Sequence, residues 1–357
     1  MRLDIEPRAE VSKLAQILAP VLAVFVAVGI GGLIVLALGK SPVQALFVYF
    51  IDPLSQSWTL QELAIKGTPL VLIASGLVYC FRSNLWNIGA EGQFTVGAIV
   101  GCILPLATHG MDAGPWVIVL ALIMGAIGGA LYALIPAMLK VWFGVSEILT
   151  SLMLVYVAQL GLDYLVRGPW RDPKGFNFPQ SVVFEPGATL PNLMSDGRLH
   201  AGIILALIVV GISWFVLTRT LFGFGIRVSG AAPKAARFAG FHAKRMVVFA
   251  FLISGGLAGL AGIVEVTGQI GQLQPSISPG YGFTAITVAF LGRLHPVGLV
   301  LGAFIVSLTV IGGESAQIAM KLPLDLTTVF QGVLLMCVLA ADCFSTYRVR
   351  IVSGGAR

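Results

Sequence analysis

The chain has 357 residues, of which 57% are hydrophobic and only 11% are charged, and its formal net charge is +6. A soluble domain of this length needs a more highly charged surface, so the composition excludes a soluble globular protein. The positive charge does not indicate nucleic-acid binding, because the cations are divided among separate loops. The four cysteines lie in or beside apolar runs, in a pattern that predicts neither disulfides nor a metal site.

Apolar runs that approach the roughly 20 residues needed to cross a bilayer recur along the chain. We predict an all-α polytopic membrane protein, a single transmembrane domain over 1–357 with about ten transmembrane helices. The first run is too long for a signal-peptide core and is expected to be a membrane helix. In chain order the predicted spans are 14–38, 63–81, 93–108, 116–139, 147–166, 200–218, 246–268, 283–293, 297–312 and 326–343.

The distribution of cations predicts the orientation. With these spans, 15 of the 22 Lys and Arg residues fall on the side of both termini, which places the termini in the cytoplasm. The spans 283–293 and 297–312 are short and are separated by His295 and Pro296. They are expected to form either two crossings or a broken, re-entrant element, and neither changes the side of the termini.

A polar segment interrupts the apolar sequence at residues 83–93, Ser-Asn-Leu-Trp-Asn-Ile-Gly-Ala-Glu-Gly-Gln. Non-helical backbone at membrane depth is tolerated only where protein or a wet cavity covers it. The segment is therefore a candidate lining of a solute path, through Asn84, Asn87, Glu91 and Gln93. The alternative is a simple cytoplasmic turn in which Glu91 pairs with Arg82.

Two features are predicted at the other end of the spans. Glu265 is an ionisable group near the outer end of its helix. It is expected either to contact a solute or to form a hydrogen bond with a neighbouring helix. The external segment 167–199 forms either a cap that faces an outside partner or a plain irregular loop. On the helix that carries Glu265, the small residues Gly255, Gly259 and Gly262 share a narrow face that predicts close helix packing.

A basic segment at residues 219–245 contains six cations and no carboxylate. Ser229 or Gly230 is expected to cap a short cytoplasmic helix, with Pro233 in its first turn and Gly240 after its end. The cations either serve only to orient the chain or form a docking site for a partner that supplies energy.

The chain shows no means of supplying that energy itself. Gly39-Lys40-Ser41 resembles the end of a phosphate-binding loop, but residue 34 is Ile where that motif requires its first glycine. No catalytic set, zinc spacing or nucleotide fingerprint is found either. We therefore expect no enzymatic activity, no metal site and no bound cofactor in this chain.

Taken together, Asn84–Gln93, the basic loop 225–246 and the run from Ile253 to Phe283 resemble the membrane-spanning subunits of bacterial ABC importers for simple sugars and nucleosides. The resemblance covers roughly residues 60–345 and is strongest to the nucleoside branch, in which the form Glu91-Gly92-Gln93 is usual. It implies a multi-pass permease of the bacterial inner membrane.

The resemblance also implies partners. These are a cytoplasmic ATPase that holds ATP and Mg²⁺, a second homologous permease or another copy of this chain, an extracytoplasmic solute-binding protein and the surrounding lipid, but no nucleic acid. The expected contacts with the ATPase fall on Arg227, Gly230, Pro233, Ala236, Arg237 and Gly240. The family motif does not define solute contacts, so Asn84, Asn87, Glu91, Gln93 and Glu265 remain the candidates.

Other functions remain open at this stage. An ATP-independent secondary transporter or a channel for a small polar solute would need a coupling-ion site, for which Glu265 is the one modest candidate. An ABC permease for branched-chain amino acids is the closest competitor in substrate class.

Overall fold

The computed structural model describes residues 2–7, 13–111, 113–194 and 197–352. Helices dominate, as predicted, and two short strands lie at the two ends of the described chain. The helices are α1 Lys13–Ala37, α2 Pro42–Leu46, α3 Asp52–Ser55, α4 Ser57–Arg82, α5 Ala90–Ala107, α6 Trp116–Phe143, α7 Glu147–Arg167, α8 Gly202–Arg219, α9 Leu221–Ala231, α10 Pro233–Phe238, α11 Ala243–Glu265, α12 Tyr281–Leu291, α13 Pro296–Met320 and α14 Asp325–Thr346.

The residues group into two compact units. The first comprises Met1–Thr59 and Leu308–Arg357, and the second comprises Leu60–Ser307. In the first unit, α1 packs along α14. The strands β1 Arg2–Pro7 and β2 Tyr347–Val352, which the sequence did not predict, pair in antiparallel fashion. This pairing brings the two ends of the described chain together.

Among the described residues, seven helices are long and apolar enough to cross a membrane. They are α4, α5, α6, α7, α8, α13, and α11 together with the π-helical segment Val266–Ile270 that continues it. Each of the ten predicted spans coincides with a helix, but the count of about ten crossings is not confirmed. Helix α12 has 11 residues, about 16 Å of helix, which is too short for a hydrocarbon core of roughly 30 Å.

The predicted separation at His295 and Pro296 is present, since residues 292–295 are non-helical between Leu291 and Pro296. Pro296 begins α13, which continues for 25 residues to Met320 and is not a short element. Proline suits this position because its missing N–H is not needed in the first turn of a helix. A second, unpredicted interruption lies before α12, where residues 271–280 are non-helical between the π-helical segment and Tyr281.

Glycines bring α5, α6 and α11 into close contact at the centre of the second unit. A Cβ added at Gly259 would overlap the carbonyl oxygen of Gly125 and lie 2.8 Å from the Cα of Gly129. A Cβ at Gly97 would overlap the backbone of Gly259 itself. The three backbones can approach this closely only because no side chains stand between them, as in small-residue faces of membrane helices. Gly255 faces Gly129 in the same way, and Gly262 faces Phe94.

We predict that Gly259→Ala destabilises the protein by about 1–3 kcal/mol, since its methyl group would meet backbone atoms that cannot rotate away. The measurement is the unfolding transition of the purified protein in detergent. Gly211→Ala in α8 is the matched control, because a Cβ there has no neighbour within 4 Å. It should be neutral or slightly stabilising. Equal effects of the two substitutions would contradict the close packing of α11.

Candidate functional site

The polar segment between α4 and α5 is folded around a pair of amides. Asn87 Nδ2 donates to Gln93 Oε1 at 2.8 Å, and Gln93 Nε2 donates back to Asn87 Oδ1 at 3.0 Å. Asn87 Nδ2 also donates to Ser254 Oγ of α11 at 2.9 Å. Both amide side chains are buried. They satisfy each other and hold α5 against α11, so in this conformation they do not face an open path.

Helix α7 holds the same segment from its other side. The backbone N–H of Trp86 donates to Glu147 Oε1 at 3.4 Å, and that of Ile88 donates to Ser151 Oγ at 3.3 Å. Glu147 in turn accepts from Lys140 Nζ at 2.5 Å. These side chains satisfy backbone donors that a helix would otherwise pair internally, as required of irregular backbone inside a membrane protein.

Glu91 joins this segment to α12. Its Oε2 accepts a 2.6 Å hydrogen bond from the backbone N–H of Gly282, in the first turn of α12, and the carboxyl group is buried. A carboxyl group is favoured at a helix N-terminus, where the N–H groups lack partners and the helix dipole is positive. Glu91 is thus held by α12, and not by the ion pair with Arg82 that the turn hypothesis assumed.

These contacts also give the depth of the segment. Ser254, the partner of Asn87, lies 11 residues after the start of α11 at Ala243, about 16 Å along that helix. The interruption between α4 and α5 is therefore embedded deep along α11. A cytoplasmic turn at the membrane surface would lie near the start of that helix instead.

Residues 271–291 follow the length of α11 in two halves. The first half, 271–280, is non-helical and leads from the end of the π-helical segment to Tyr281, whose Oη donates to Glu265 Oε1 at 3.3 Å. The second half is α12, whose Phe290 stacks on Phe81 near the end of α4, with ring centroids 5.1 Å apart. We call 271–291 the discontinuous segment.

Two pockets lie on either side of the non-helical half of this segment, and Ser276, Ile277 and Ser278 line both. Pocket A, of about 370 Å³, also contains Glu91, Thr95, Tyr156, Gln159 and Asp163. Pocket B, of about 290 Å³, also contains Lys66, Glu265, Gln269, Gln274 and Tyr281. Each pocket holds a carboxyl group and several hydrogen-bonding side chains, which suits a small polar solute.

The five predicted path residues therefore fall into three different environments. Glu91 and Glu265 line pockets A and B, Asn87 and Gln93 pair with each other, and Asn84 is exposed at a left-handed turn with φ of 56°. Sequence reasoning missed Gln269, Gln274 and the serines. Their signal was present in the run of glutamines and glycines at 268–274, directly after the apolar part of α11.

The basic segment contains two helices, α9 and α10. The predicted short helix is present as Pro233–Phe238, with Pro233 in its first turn and Gly240 after its end at φ of 86°. The predicted cap was wrong: Ser229 and Gly230 lie inside α9, and the N-cap is Ala232. On α10, Arg237 is exposed and Ala236 is buried, while the Phe238 side chain is 93% exposed.

Helix α9 lies directly on the polar segment. A Cβ added at Gly230 would overlap the carbonyl oxygen of Arg82 and lie 3.0 Å from the carbonyl carbon of Ser83. Of the residues expected at the ATPase, Gly230 is therefore used for contact within this chain, and Arg227 lies one turn before it on the same helix. The basic segment is thus packed against the end of α4 and the start of the segment that leads to Asn87.

On the side opposite the basic segment, the loop between α7 and α8 covers the end of α11. Ser181 and Leu273 exchange two 2.9 Å hydrogen bonds, and Leu190 N donates to Thr267 O at 3.0 Å. Phe184 N donates to Gly271 O at 2.9 Å. The predicted external cap is a structured loop that includes the 3-10 turn Pro186–Ala188 and is bonded to the start of the discontinuous segment.

These features place the protein among multi-pass membrane proteins that enclose polar pockets beside an interrupted crossing. A profile of the family described as "Branched-chain amino acid transport system / permease component" matches residues 59–339. The chain belongs to this permease family. Membership implies a separate cytoplasmic ATPase and a solute-binding protein as partners.

Named relatives narrow the type of permease. The chain is 35% identical to the glucose ABC transporter permease protein of Haloferax volcanii, over 98% of this chain and 94% of the relative. It is 29% identical to the guanosine ABC transporter permease protein NupP of Bacillus subtilis, over 96% and 97%. It is 28% identical to the nucleoside ABC transporter permease protein NupB of Lactococcus lactis, over 83% of each chain. The resemblance to sugar and nucleoside ABC permeases is confirmed.

His200, just before α8, is buried against Gly268 of the π-helical segment. Burial lowers the pKa of His200 to about 4, because an imidazolium ion loses its hydration there. The Nδ1 atom accepts from the backbone N–H of Gly202 at 3.2 Å, so the neutral ring carries its hydrogen on Nε2.

We predict that this histidine makes the protein less stable in acid. Between the unfolded pKa near 6.5 and the folded pKa of about 4, only the unfolded state binds the proton. Stability is therefore full above pH 6.5 and falls by about 3 kcal/mol as the pH is lowered to 4. Melting curves recorded in detergent between pH 4 and 8 measure this change in stability. His200→Asn should flatten the pH dependence, because the neutral amide side chain cannot take up the proton.

Proposed function

We propose that this chain forms the translocation path for a nucleoside or a related simple sugar in an ABC importer. The observation that carries the proposal is the discontinuous segment, with a polar pocket on each side of its non-helical half. Broken membrane helices place solute sites at the interruption in many transporters, because unpaired backbone groups and helix ends become available there. Glu91 occupies the N-terminal end of α12, and Glu265 lies beside it through Tyr281.

The names of the relatives support a sugar or nucleoside more than a branched-chain amino acid. Glucose, guanosine and nucleosides appear in those names, and the amino acid appears only in the description of the broad family. Both pockets contain several hydrogen-bonding side chains beside their apolar lining, as a sugar or nucleoside requires. Stimulation of ATP hydrolysis by nucleosides, pentoses and hexoses in the reconstituted complex would decide among the solutes.

The basic segment is the proposed contact with the ATPase on the cytoplasmic side. Helix α10 presents Arg237 and Lys234 to solvent together with the bare phenyl ring of Phe238. An exposed aromatic side chain with cations beside it can bind an apolar groove on a partner, provided that acidic residues line the edges of that groove. Because α9 packs on the end of α4 through Gly230, movement of this segment reaches the polar segment at 83–93 directly.

In this mechanism the solute-binding protein delivers its solute on the face of the loop between α7 and α8. Closure of the ATPase on ATP shifts α10 and α9, and the polar segment and discontinuous segment change their packing between outward- and inward-open arrangements. A ligand drives such a change only by binding the two arrangements differently. The second permease subunit of the assembly is either a homologue or another copy of this chain.

We predict that Arg237→Glu weakens the ATPase contact at least tenfold, because it places a carboxylate where a cation meets an acidic groove edge. Phe238→Ala should act in the same direction through loss of the apolar anchor. Co-purification of the ATPase and solute-stimulated hydrolysis measure both effects. Lys174→Glu, the same charge change in the loop between α7 and α8, is the control and should leave ATPase binding intact. Normal coupling in Arg237→Glu would remove α10 from the proposal.

We further predict that a cysteine at Ser276 reacts with a hydrophilic thiol reagent and that the solute protects it, since Ser276 is exposed and lines both pockets. The background would lack Cys337 and Cys343. Ile212→Cys on α8, where the native side chain is 57% exposed on an apolar span, is the control. A lipid-facing cysteine should stay unlabelled. Labelling of Ile212→Cys but not of Ser276→Cys would contradict a water-lined path at the discontinuous segment.

A secondary transporter is the competing function, with Glu265 as its coupling site. In that case uptake would continue after ATP is depleted, provided that the ion gradient is maintained by other means. Collapse of uptake under those conditions is the result expected for the importer.

A further inference from the structure

We infer that pocket B is a recognition site for the hydroxyl groups of a neutral, polyhydroxylated solute such as a ribose or hexose ring. The inference rests on the proposed function and adds the chemical groups that are recognised and the residues that recognise them. Those residues are Glu265, Gln269 and Gln274, with Tyr281 as the positioning residue for Glu265.

The first observation is a cluster of buried side-chain atoms without hydrogen-bond partners. Among the described residues, Glu265 Oε2, Gln269 Oε1 and Gln272 Oε1 are such atoms, and all lie within eight residues of one another. Buried polar atoms are almost always paired in folded proteins, so a group of unpaired acceptors indicates a partner that is supplied from outside the chain. Glu265 and Gln269 line pocket B.

The second observation is the backbone conformation at the same place. Val266–Ile270 is π-helical and ends at Gly271 with φ of 79°. A π-helical turn widens the helix and is less stable than an α-helical one, and it is frequently found at functional sites. Here it turns Gln269 toward the pocket that also contains Glu265, one helical turn earlier.

A donor without a partner lies against this turn. The Nε2 atom of His200 is buried and unpaired among the described residues, and it carries the hydrogen because Nδ1 accepts from Gly202. The imidazole ring contacts Gly268. Of these unpaired atoms, Glu265 Oε2 and Gln269 Oε1 belong to residues that line pocket B, whereas His200 and Gln272 do not line it. A hydroxyl group can donate to each of these two oxygens.

The chemistry favours a polyol over an amino acid. A sugar ring brings several O–H donors to the unpaired oxygens of Glu265 and Gln269. An amino acid offers a single donor group, its ammonium, and its carboxylate supplies only acceptors. A buried site built to bond hydroxyl groups rejects analogues that lack them, because its polar atoms are then left unpaired.

The loop between α7 and α8 is bonded to residues that lie next to pocket B in the chain. Gln272 Nε2 donates to Gln180 Oε1 at 3.1 Å, and Leu273 is bonded to Ser181. Gln274, the next residue, lines pocket B. The site is therefore close in sequence to the residues that hold the loop on which the solute-binding protein is proposed to release its solute.

The test measures solute-stimulated ATP hydrolysis of the reconstituted complex with matched pairs of probes, guanosine against 2′-deoxyguanosine and 3′-deoxyguanosine, and glucose against 2-deoxyglucose. In the wild type, removal of a recognised hydroxyl should raise the half-saturating concentration roughly tenfold or more. Gln269→Leu should raise the half-saturating concentration of the full solute by a similar factor. The deoxy analogue should then raise it little further, because the same hydrogen bond is already missing. Glu265→Gln, which keeps the side-chain volume, is the second variant in case Gln269→Leu fails to assemble.

Gln159→Leu, which removes an amide from pocket A, is the matched control and should keep the wild-type discrimination. If Gln269→Leu and Glu265→Gln discriminate between solute and analogue as the wild type does, pocket B is not the hydroxyl site. If only Gln159→Leu fails to discriminate between the solute and its deoxy analogue, the hydroxyl site is pocket A, and the inference is overturned. Absence of stimulation by any nucleoside or sugar in the wild-type complex would instead contradict the proposed function itself.

Discussion

The hydrogen bond between Glu91 and the backbone of Gly282 is the interaction on which the rest of this structure depends. A membrane-embedded chain must satisfy its backbone polar groups internally, and both interrupted regions of this protein leave such groups open. Glu91 stands two residues after one interruption and bonds the first turn of the helix that follows the other. The two irregular regions thereby stabilise each other, and the discontinuous segment can begin a helix in the interior.

Close glycine contacts make that arrangement possible. Because Gly97, Gly129 and Gly259 allow the backbones of α5, α6 and α11 to touch, Asn87 reaches Ser254 and Tyr281 reaches Glu265. A larger residue at any of these glycines would separate the helices and leave buried amide and carboxyl groups without partners, which costs more than the packing alone. The polar pockets therefore depend on apolar contacts that carry no polar chemistry themselves.

The same framework connects the two faces of the second unit. On one face, α9 rests on the end of α4, from which the polar segment leads to Glu91. On the other, the loop between α7 and α8 is bonded to Gly271 and Leu273 at the start of the discontinuous segment. Each pocket lies between these attachments, so a displacement at either face acts on the residues that line it.

The sequence by itself determined the helical class, the positions of the ten apolar helices, the small basic helix and the family, because hydrophobic runs, charge and local motifs depend on neighbouring residues only. It also singled out Glu91 and Glu265, since a carboxyl group is conspicuous in an apolar run. Only the tertiary structure decided that Asn87 and Gln93 pair with each other, that a second interruption precedes α12, and that Gln269 and Gln274 line a pocket. These facts depend on contacts between residues far apart in the chain, such as Glu91 with Gly282, and no local pattern specifies which distant backbone group a buried side chain will meet.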